Sequence, residues 1–194
     1  MSKAERTKQF IVEKTASIFN TKGYAGTSIS DLTDATGLTK GSIYGNFENK
    51  DEVALAALEY NLGKVREIIE REMAGKKSAR ERLLVYVDVY NNFLHLPFPR
   101  GGCPILNTAV ESDDTHVALR QRTNEAIERW KKNIAELVKA GVAAKEFGKG
   151  VDPEGFAVTM IAMIEGAIML SKVSGKLDYR TTVLGQVRDM IEKL

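Results

Sequence analysis

Apolar residues recur at helical spacing from Lys3 to Leu194 in this chain, and nowhere do they alternate with polar ones over a stretch bounded by turn residues. That property excludes a sheet. A half-buried strand needs apolar residues two apart, whereas an amphipathic helix needs them three and four apart. The expected fold class is therefore all-α. With 194 residues, 43% of them apolar, the chain is long enough to bury a substantial core. It suits one compact domain or a small domain joined to a larger one.

Turn and cap residues divide the pattern into helices. The first runs over Lys3 to Lys22, burying Ile11, Thr15, Ile18 and Phe19, and Gly23 ends it. Ser28 and Asp31 stand at capping-box spacing before a short helix of Ile29 to Thr36. Gly37 makes the turn, Leu38 faces the core, and Thr39 caps a second short helix, Lys40 to Asn46. Asn49 caps a long helix ending near Met73, and Ser78 with Glu81 boxes another that carries Leu83, Leu84, Val87, Tyr90 and Leu94 inward. A loop holding Pro97, Pro99 and two glycines precedes a short helix near Cys103 to Ser112. Asp113 and Asp114 are expected to cap a helix through Trp130 to about Ala140. Asp152-Pro153 opens the most apolar helix, and Asp178 is expected to cap the last one.

The segment Thr27 to Phe47 is the informative one. Two short helices joined at a glycine form a helix-turn-helix, whose second helix enters the major groove of DNA. That second helix is a poor stabilising element. Only Ile43 is aliphatic between Thr39 and Asn46, and Gly41 and Gly45 both lower helix propensity. Such a helix makes sense if its backbone must come close to something large and flat. Lys40, Ser42, Tyr44 and Asn46 supply donors suited to phosphates and base edges. Charge supports this only weakly. Net charge is +2, and residues 1–50 hold seven Lys or Arg against five acids.

Residues 10–58, FIVEKTASIFNTKGYAGTSISDLTDATGLTKGSIYGNFENKDEVALAAL, resemble the DNA-binding region of the TetR family of bacterial regulators. The resemblance rests on Gly23-Tyr24, Thr27, the run Gly37-Leu38-Thr39-Lys40-Gly41-Ser42-Ile43-Tyr44, and Phe47 with Lys50. It implies a helix-turn-helix DNA-binding domain over 1–50 and a larger helical ligand-binding and dimerisation domain over 51–194. It also implies roles. Thr27, Ser28, Thr39 and Tyr44 would contact phosphates, and Lys50 would touch the backbone at a helix start. Lys40, Gly41, Ser42, Gly45 and Asn46 would lie along base edges. The two positions after Tyr44 are often aromatic or His in the family; here they are Gly45 and Asn46, which removes one expected contact. Phe47 reads as core, and Tyr24 as packing.

The resemblance further implies a homodimeric repressor on double-stranded DNA, released by a small-molecule effector. Phe156–Leu170 is too apolar all round for a solvated helix, so the last two helices are expected to form the dimer interface. Its length and its interruption by Thr159 and Glu165 argue against a membrane span. Tyr86, Tyr90, Phe93, Trp130, Met160 and Met163 are the expected effector-lining residues, although each also reads as ordinary core. Glu165, a carboxylate inside an apolar helix, needs a partner: either across a dimer or on a polar ligand group. Cys103 stands in Arg100-Gly101-Gly102-Cys103-Pro104, where a nearby cation and a helix start would lower a thiol pKa and glycines would give access. With Asn107 through Glu111, this segment resembles a family branch that senses electrophiles or oxidants. The other reading of Cys103 is a buried small hydrophobe.

Other classes find little support. A single cysteine permits no disulfide within the chain, and MSKAERTKQF lacks the apolar core of a signal peptide, so a cytoplasmic protein with no membrane partner is expected. His95 and His116 are too scattered for a metal site, and no cofactor fingerprint or nucleophile–base pair is present. A helical enzyme or binding protein sharing the fold is the competing reading from another class. It would not need Thr39, Tyr44 and Lys50 to be exposed together.

Overall fold

The computed structural model describes residues 2–194. Nine α-helices and one 3-10 turn account for the regular structure among them, with no strand. They are α1 (Lys3–Lys22), α2 (Ile29–Thr36), α3 (Lys40–Tyr44), α4 (Lys50–Met73), α5 (Ala79–Asn92), the 3-10 turn Phe93–His95, α6 (Pro104–Ser112), α7 (Val117–Ala143), α8 (Pro153–Ser174) and α9 (Leu177–Glu192). The chain forms two compact units, one of Met1–Val65 with Pro99–Asn124, the other of Arg66–Phe98 with Glu125–Leu194.

The first unit is built around Ile11, Ala16, Phe19, Leu32, Ile43, Phe47, Val53, Ala57 and Leu119, all buried. Tyr24, Ile29 and Leu38 close its edges. Capping fixes where its helices begin. Ser28 accepts from the Asp31 amide while the Asp31 carboxylate accepts from the Ser28 amide. Gly37 ends α2 at φ 67°, a left-handed conformation that costs a residue without Cβ nothing. Thr39 accepts from the Ser42 amide and starts α3. Ser2 and Glu5 form a further capping box at the head of α1.

The second unit packs α5, α8 and α9 together. Their buried faces are Leu83, Val87 and Tyr90 on α5, Met160, Ile164 and Ile168 on α8, and Leu184, Val187 and Ile191 on α9. The residues of α7 from Glu125 onward add Trp130, Ile134 and Val138. At one end Arg80 donates to the Ile191 carbonyl and to Glu146, fastening the start of α5 to the end of α9.

Several boundaries differ from the sequence expectation. The recognition helix α3 stops at Tyr44 instead of Asn46, since the Gly45 and Asn46 amides turn back to Gly41 and Ile43. Asp113 and Asp114 do not cap α7. His116 does, its Nδ1 accepting from the Leu119 amide at 3.2 Å, because α6 continues until Ser112 and leaves Asp113 as its terminus. Asp178 lies inside the first turn of α9, behind Lys176, which makes no side-chain cap bond. Leu94 falls in the 3-10 turn and is exposed, since the tighter winding rotates it off the buried stripe of α5. The stretch Phe156–Leu170 is only the middle of a 22-residue helix that is long and apolar enough, by length and composition, to cross a membrane. Its buried side is the α5–α9 face just described.

Candidate nucleic-acid interface

The open side of the first unit is formed by the segment that the spacing singled out. Ser28, Thr39, Lys40, Gly41 and Gly45 are exposed, while Ser42, Tyr44, Asn46 and Lys50 are half-buried. Only Ile43 of α3 enters the core. A Cβ built at Gly41 would meet nothing closer than the Thr39 hydroxyl at 4.0 Å. The chain's own packing therefore does not require glycine there, and what its bareness provides is a backbone open to a large neighbour. Lys40 Nζ lies 6.0 Å from the Tyr44 ring centroid, and Lys50 Nζ lies 4.3 Å over the Tyr24 ring. Both cations remain on the surface with aromatic faces behind them.

Thr27 and Asn46 are turned inward. Thr27 is buried, and its hydroxyl donates to the Gly23 carbonyl at 2.6 Å, tightening the turn between α1 and α2. Asn46 Nδ2 donates to the Ser42 carbonyl at 2.9 Å. Each spends its best donor inside the motif.

Beneath the open face, polar contacts hold α1 and α2 in place. Tyr24 donates its hydroxyl to Asp51 in a short hydrogen bond, which pushes the phenol pKa up to about 12. His116 packs edge-on to the Tyr24 ring at 4.6 Å, with Nε2 3.7 Å from Asp51. Lys22 donates to Asp31 at 2.6 Å, and that bond, with those from Ser28, lowers the Asp31 carboxyl pKa to about 2.

Helix α6 is fastened to the same region. The Glu111 carboxylate accepts from two successive amides, Tyr24 at 2.7 Å and Ala25 at 2.8 Å, in the turn that leads to α2. Asn20 Nδ2 donates to the carbonyls of Arg100 and Gly102, and Asn107 Nδ2 donates to those of Asn20 and Gly101. Gly101, at φ 96°, lies so close to α1 that a Cβ would stand 2.8 Å from the Asn20 carbonyl. Asn20 and Glu111 were not singled out by the sequence reasoning as positioning residues. A buried Asn on the apolar face of α1 was the available signal.

Cys103 is the N-cap residue of α6 and is 1% exposed, so the neighbouring glycines give the thiol no access to solvent. Cys103 and Asn107 belong to the first unit, and the other expected effector-lining residues to the second. There Tyr86, Tyr90, Phe93, Trp130 and Met160 are buried, and Met163 and Glu165 are half-buried. Trp130 stacks on Tyr90 at 5.3 Å, Tyr90 meets Phe98 at 5.7 Å, and Phe98 meets Phe93 at 5.4 Å. Burial pushes the Tyr86 phenol up to about 12. Arg180, which sequence reasoning passed over, also lies against this cluster, 4.7 Å from the Phe93 ring centroid. Its signal was legible. It stands on the apolar stripe Arg180, Leu184, Val187 and Ile191.

Comparison with known proteins agrees with this architecture. The family profile described as "Bacterial regulatory proteins, tetR family" matches residues 11–57, and that described as "Tetracyclin repressor-like, C-terminal domain" matches residues 79–187. A TetR-family transcriptional regulator from Cytophaga hutchinsonii is 49% identical with a TM-score of 0.95, over 98% of this chain and 96% of that one. A TetR transcriptional regulator from Chloroflexus aurantiacus J-10-FL is 40% identical with a TM-score of 0.93, over the same shares of the two chains. The HTH-type transcriptional repressor DhaR of Mycobacterium sp. (strain GP1) is 26% identical over 86% of this chain and 82% of its own length. The proteins of this family are regulators that bind DNA, not enzymes. The chain belongs to the TetR family of transcriptional regulators.

Proposed function

We propose that the protein is a homodimeric repressor that a small-molecule effector releases from its operator. The observation that carries this reading is α3 itself: a short, polar, glycine-bearing helix anchored by Ile43 alone, with the rest of its length open. In this reading Ser28, Thr39, Tyr44 and Lys50 hold phosphates, and Lys40, Gly41, Ser42 and Gly45 follow base edges. Thr27 and Asn46 act from behind, by fixing the turn and the end of α3.

Two further observations support the regulatory part. The outer side of α8 and the start of α9 expose Val158, Met169, Leu170, Val173, Leu177 and Tyr179, and Val173 is 86% exposed. An apolar surface of that kind is what a second copy of the chain would cover. In the second unit, the rings of Tyr86, Tyr90, Phe93 and Trp130 with Met160 and Met163 provide apolar walls for an effector, and Glu165 adds a half-buried carboxylate. Phe98 of that ring cluster is followed directly in the chain by Pro99, which begins the segment bonded to Asn20.

Fluorescence anisotropy with a duplex from the DNA beside the protein's own gene, against a scrambled duplex, tests the reading. The native duplex is expected to bind more tightly, with a steep loss as salt rises. Lys40→Ala and Lys50→Ala should each flatten the salt dependence by about one charge, and Tyr44→Ala should weaken binding to both duplexes. Failure to bind any duplex at low salt would overturn the reading.

A second reading routes release through Cys103. It draws on the position of the thiol at the head of α6, beside the carbonyls bonded by Asn20. Its burial means that an electrophile reaches Sγ only after the 99–103 loop opens. Cys103→Ser would then abolish release by an electrophile and leave release by other compounds intact.

A further inference from the structure

We propose that Arg180 is the anion-binding residue of the effector site, and that the effector is a small organic carboxylate with a flat apolar body. This rests on the reading that the second unit binds an effector, and it specifies the chemistry of that effector.

Arg180 is the fourth residue of α9 and only 5% exposed. Its Nε and Nη1 are covered, and neither finds an acceptor on the chain. Other arginines differ. Arg122 donates to Glu59, Arg188 to Asp88, and Arg80 to the Ile191 carbonyl and Glu192. A guanidinium keeps its charge in a protein, and a buried charge without a hydrogen-bonded partner is costly. Burial pushes the Arg180 pKa down. A leucine at this stripe position would pack without that cost. The charge is explained by a group that supplies oxygens to it.

The surroundings define that group. The guanidinium lies over the Phe93 ring, and the ring contacts continue through Phe98 and Tyr90 to Trp130. Trp130 Nε1 is the second buried donor of the cluster that has no acceptor on the chain. The unmet demand at Arg180 is therefore for acceptor oxygens at one buried cation, beside an aromatic wall. A single carboxylate on a flat apolar body meets it, since its two oxygens match the planar fork of a guanidinium. A macromolecular acceptor laid on the surface does not reach Nε and Nη1, because this chain already covers those two of the three guanidinium nitrogens. The partner has to be small enough to enter.

The chain carries its own reporter, as Trp130 is the sole tryptophan. Full-length protein is titrated with benzoate and phenylacetate, and separately with benzamide and phenylacetamide, while tryptophan emission is followed. At least one acid is expected to give a saturable change and to bind about tenfold or more tighter than its amide, as a hydrogen bond to a charged group requires. Arg180→Met keeps the apolar stem and removes the charge. It is expected to lose the preference for the acid and to unfold at the same temperature or higher. Acids and amides binding alike, no saturable change with any of the four, or an acid preference that survives in Arg180→Met would each overturn the proposal. If Arg180→Met does not fold, the acid–amide comparison on the unaltered protein still decides. The operator assay separates this proposal from the reading beneath it. An acid preference through Arg180 with unchanged operator binding upholds the site and removes effector release. A compound that releases DNA equally from the unaltered protein and Arg180→Met upholds release and overturns the site.

Discussion

Helices α3 and α8 depart from the ordinary amphipathic pattern in opposite directions. The shorter one presents a single aliphatic side chain to the core and leaves polar groups and bare backbone outside. The longer one is apolar on the side that packs on α5 and α9 and apolar again on the side that does not, where Val158, Met169, Leu170 and Val173 are exposed. A monomer alone gives no reason for either composition. In the proposed reading each has a large partner laid against it: DNA on α3, and a second copy of the chain on α8. The difference in polarity then follows from the two partners, one a polyanion and the other an apolar surface like α8 itself.

The comparison breaks first if α3 loses its support. Phe47 is 2% exposed and packs the unit that holds α3. Phe47→Ala is expected to destabilise the first unit by about 3–5 kcal/mol through lost burial and a residual cavity. Urea unfolding followed by circular dichroism measures this, and operator binding should fall with it. An unchanged midpoint would mean that the recognition helix does not depend on this core. The corresponding attack on α8 acts on association and leaves the fold of one chain alone. Leu170 is already exposed, so Leu170→Glu adds no buried charge to a monomer. In a dimer it would place an uncompensated carboxylate in an apolar interface, raising the dissociation constant about a hundredfold. Sedimentation velocity across a dilution series reads that shift, and a dimer that persists would exclude this face from the interface.

The α6 staples sharpen the contrast, because they hold the recognition region by hydrogen bonds where α8 relies on apolar packing. Glu111→Gln leaves one oxygen for the amides of Tyr24 and Ala25 and turns an NH2 toward the other. The half-buried site makes the expected cost about 1–2 kcal/mol in thermal unfolding. Hydrogen exchange should quicken at those two amides more than in the core. Uniform protection across the first unit would show that α6 does not hold the start of α2.

The parts of this architecture that local chemistry dictates were readable without coordinates. Caps at Ser28, Thr39, Ser78 and Asp152 and the turn at Gly37 act over three or four residues, so the helix starts follow from the string itself. The all-helical class and the family followed from periodicity and motif spacing in the same way. Contacts spanning eighty or more residues were not readable. Nothing local shows that Glu111 reaches Tyr24 or that Asn20 bonds the Arg100 carbonyl, whereas the cap His116 makes three residues ahead of Leu119 is local and differs from the expected Asp113 and Asp114 because α6 runs on to Ser112. Arg180 lies between these cases. Its place on an apolar stripe is visible in the string, but its lack of an acceptor is a property of the packed unit.

The smallest expected effect concerns acid. Asp31 joins Lys22 of α1 to the head of α2, at 2.6 Å from the ammonium and 2.8 Å from the Ser28 amide. These bonds favour the ionised carboxylate and lower its pKa from 3.8 to about 2. A depressed carboxyl pKa adds stability that is complete above the unfolded value and disappears as pH falls through the folded one. The first unit should therefore lose this contribution between pH 3.8 and about 2. Asp31→Asn should remove the same contribution at neutral pH and leave little difference from the unaltered protein at the acid end. The group is only half-buried and its Lys22 partner is exposed, so salt should shrink the effect further. The side-chain carboxyl carbon of Asp31, titrated by NMR, gives the midpoint directly. A midpoint at the ordinary aspartate value would mean that the Lys22 and Ser28 bonds are not held in solution, and the head of α2 would then rest on the Ser28 hydroxyl and on Glu111 alone.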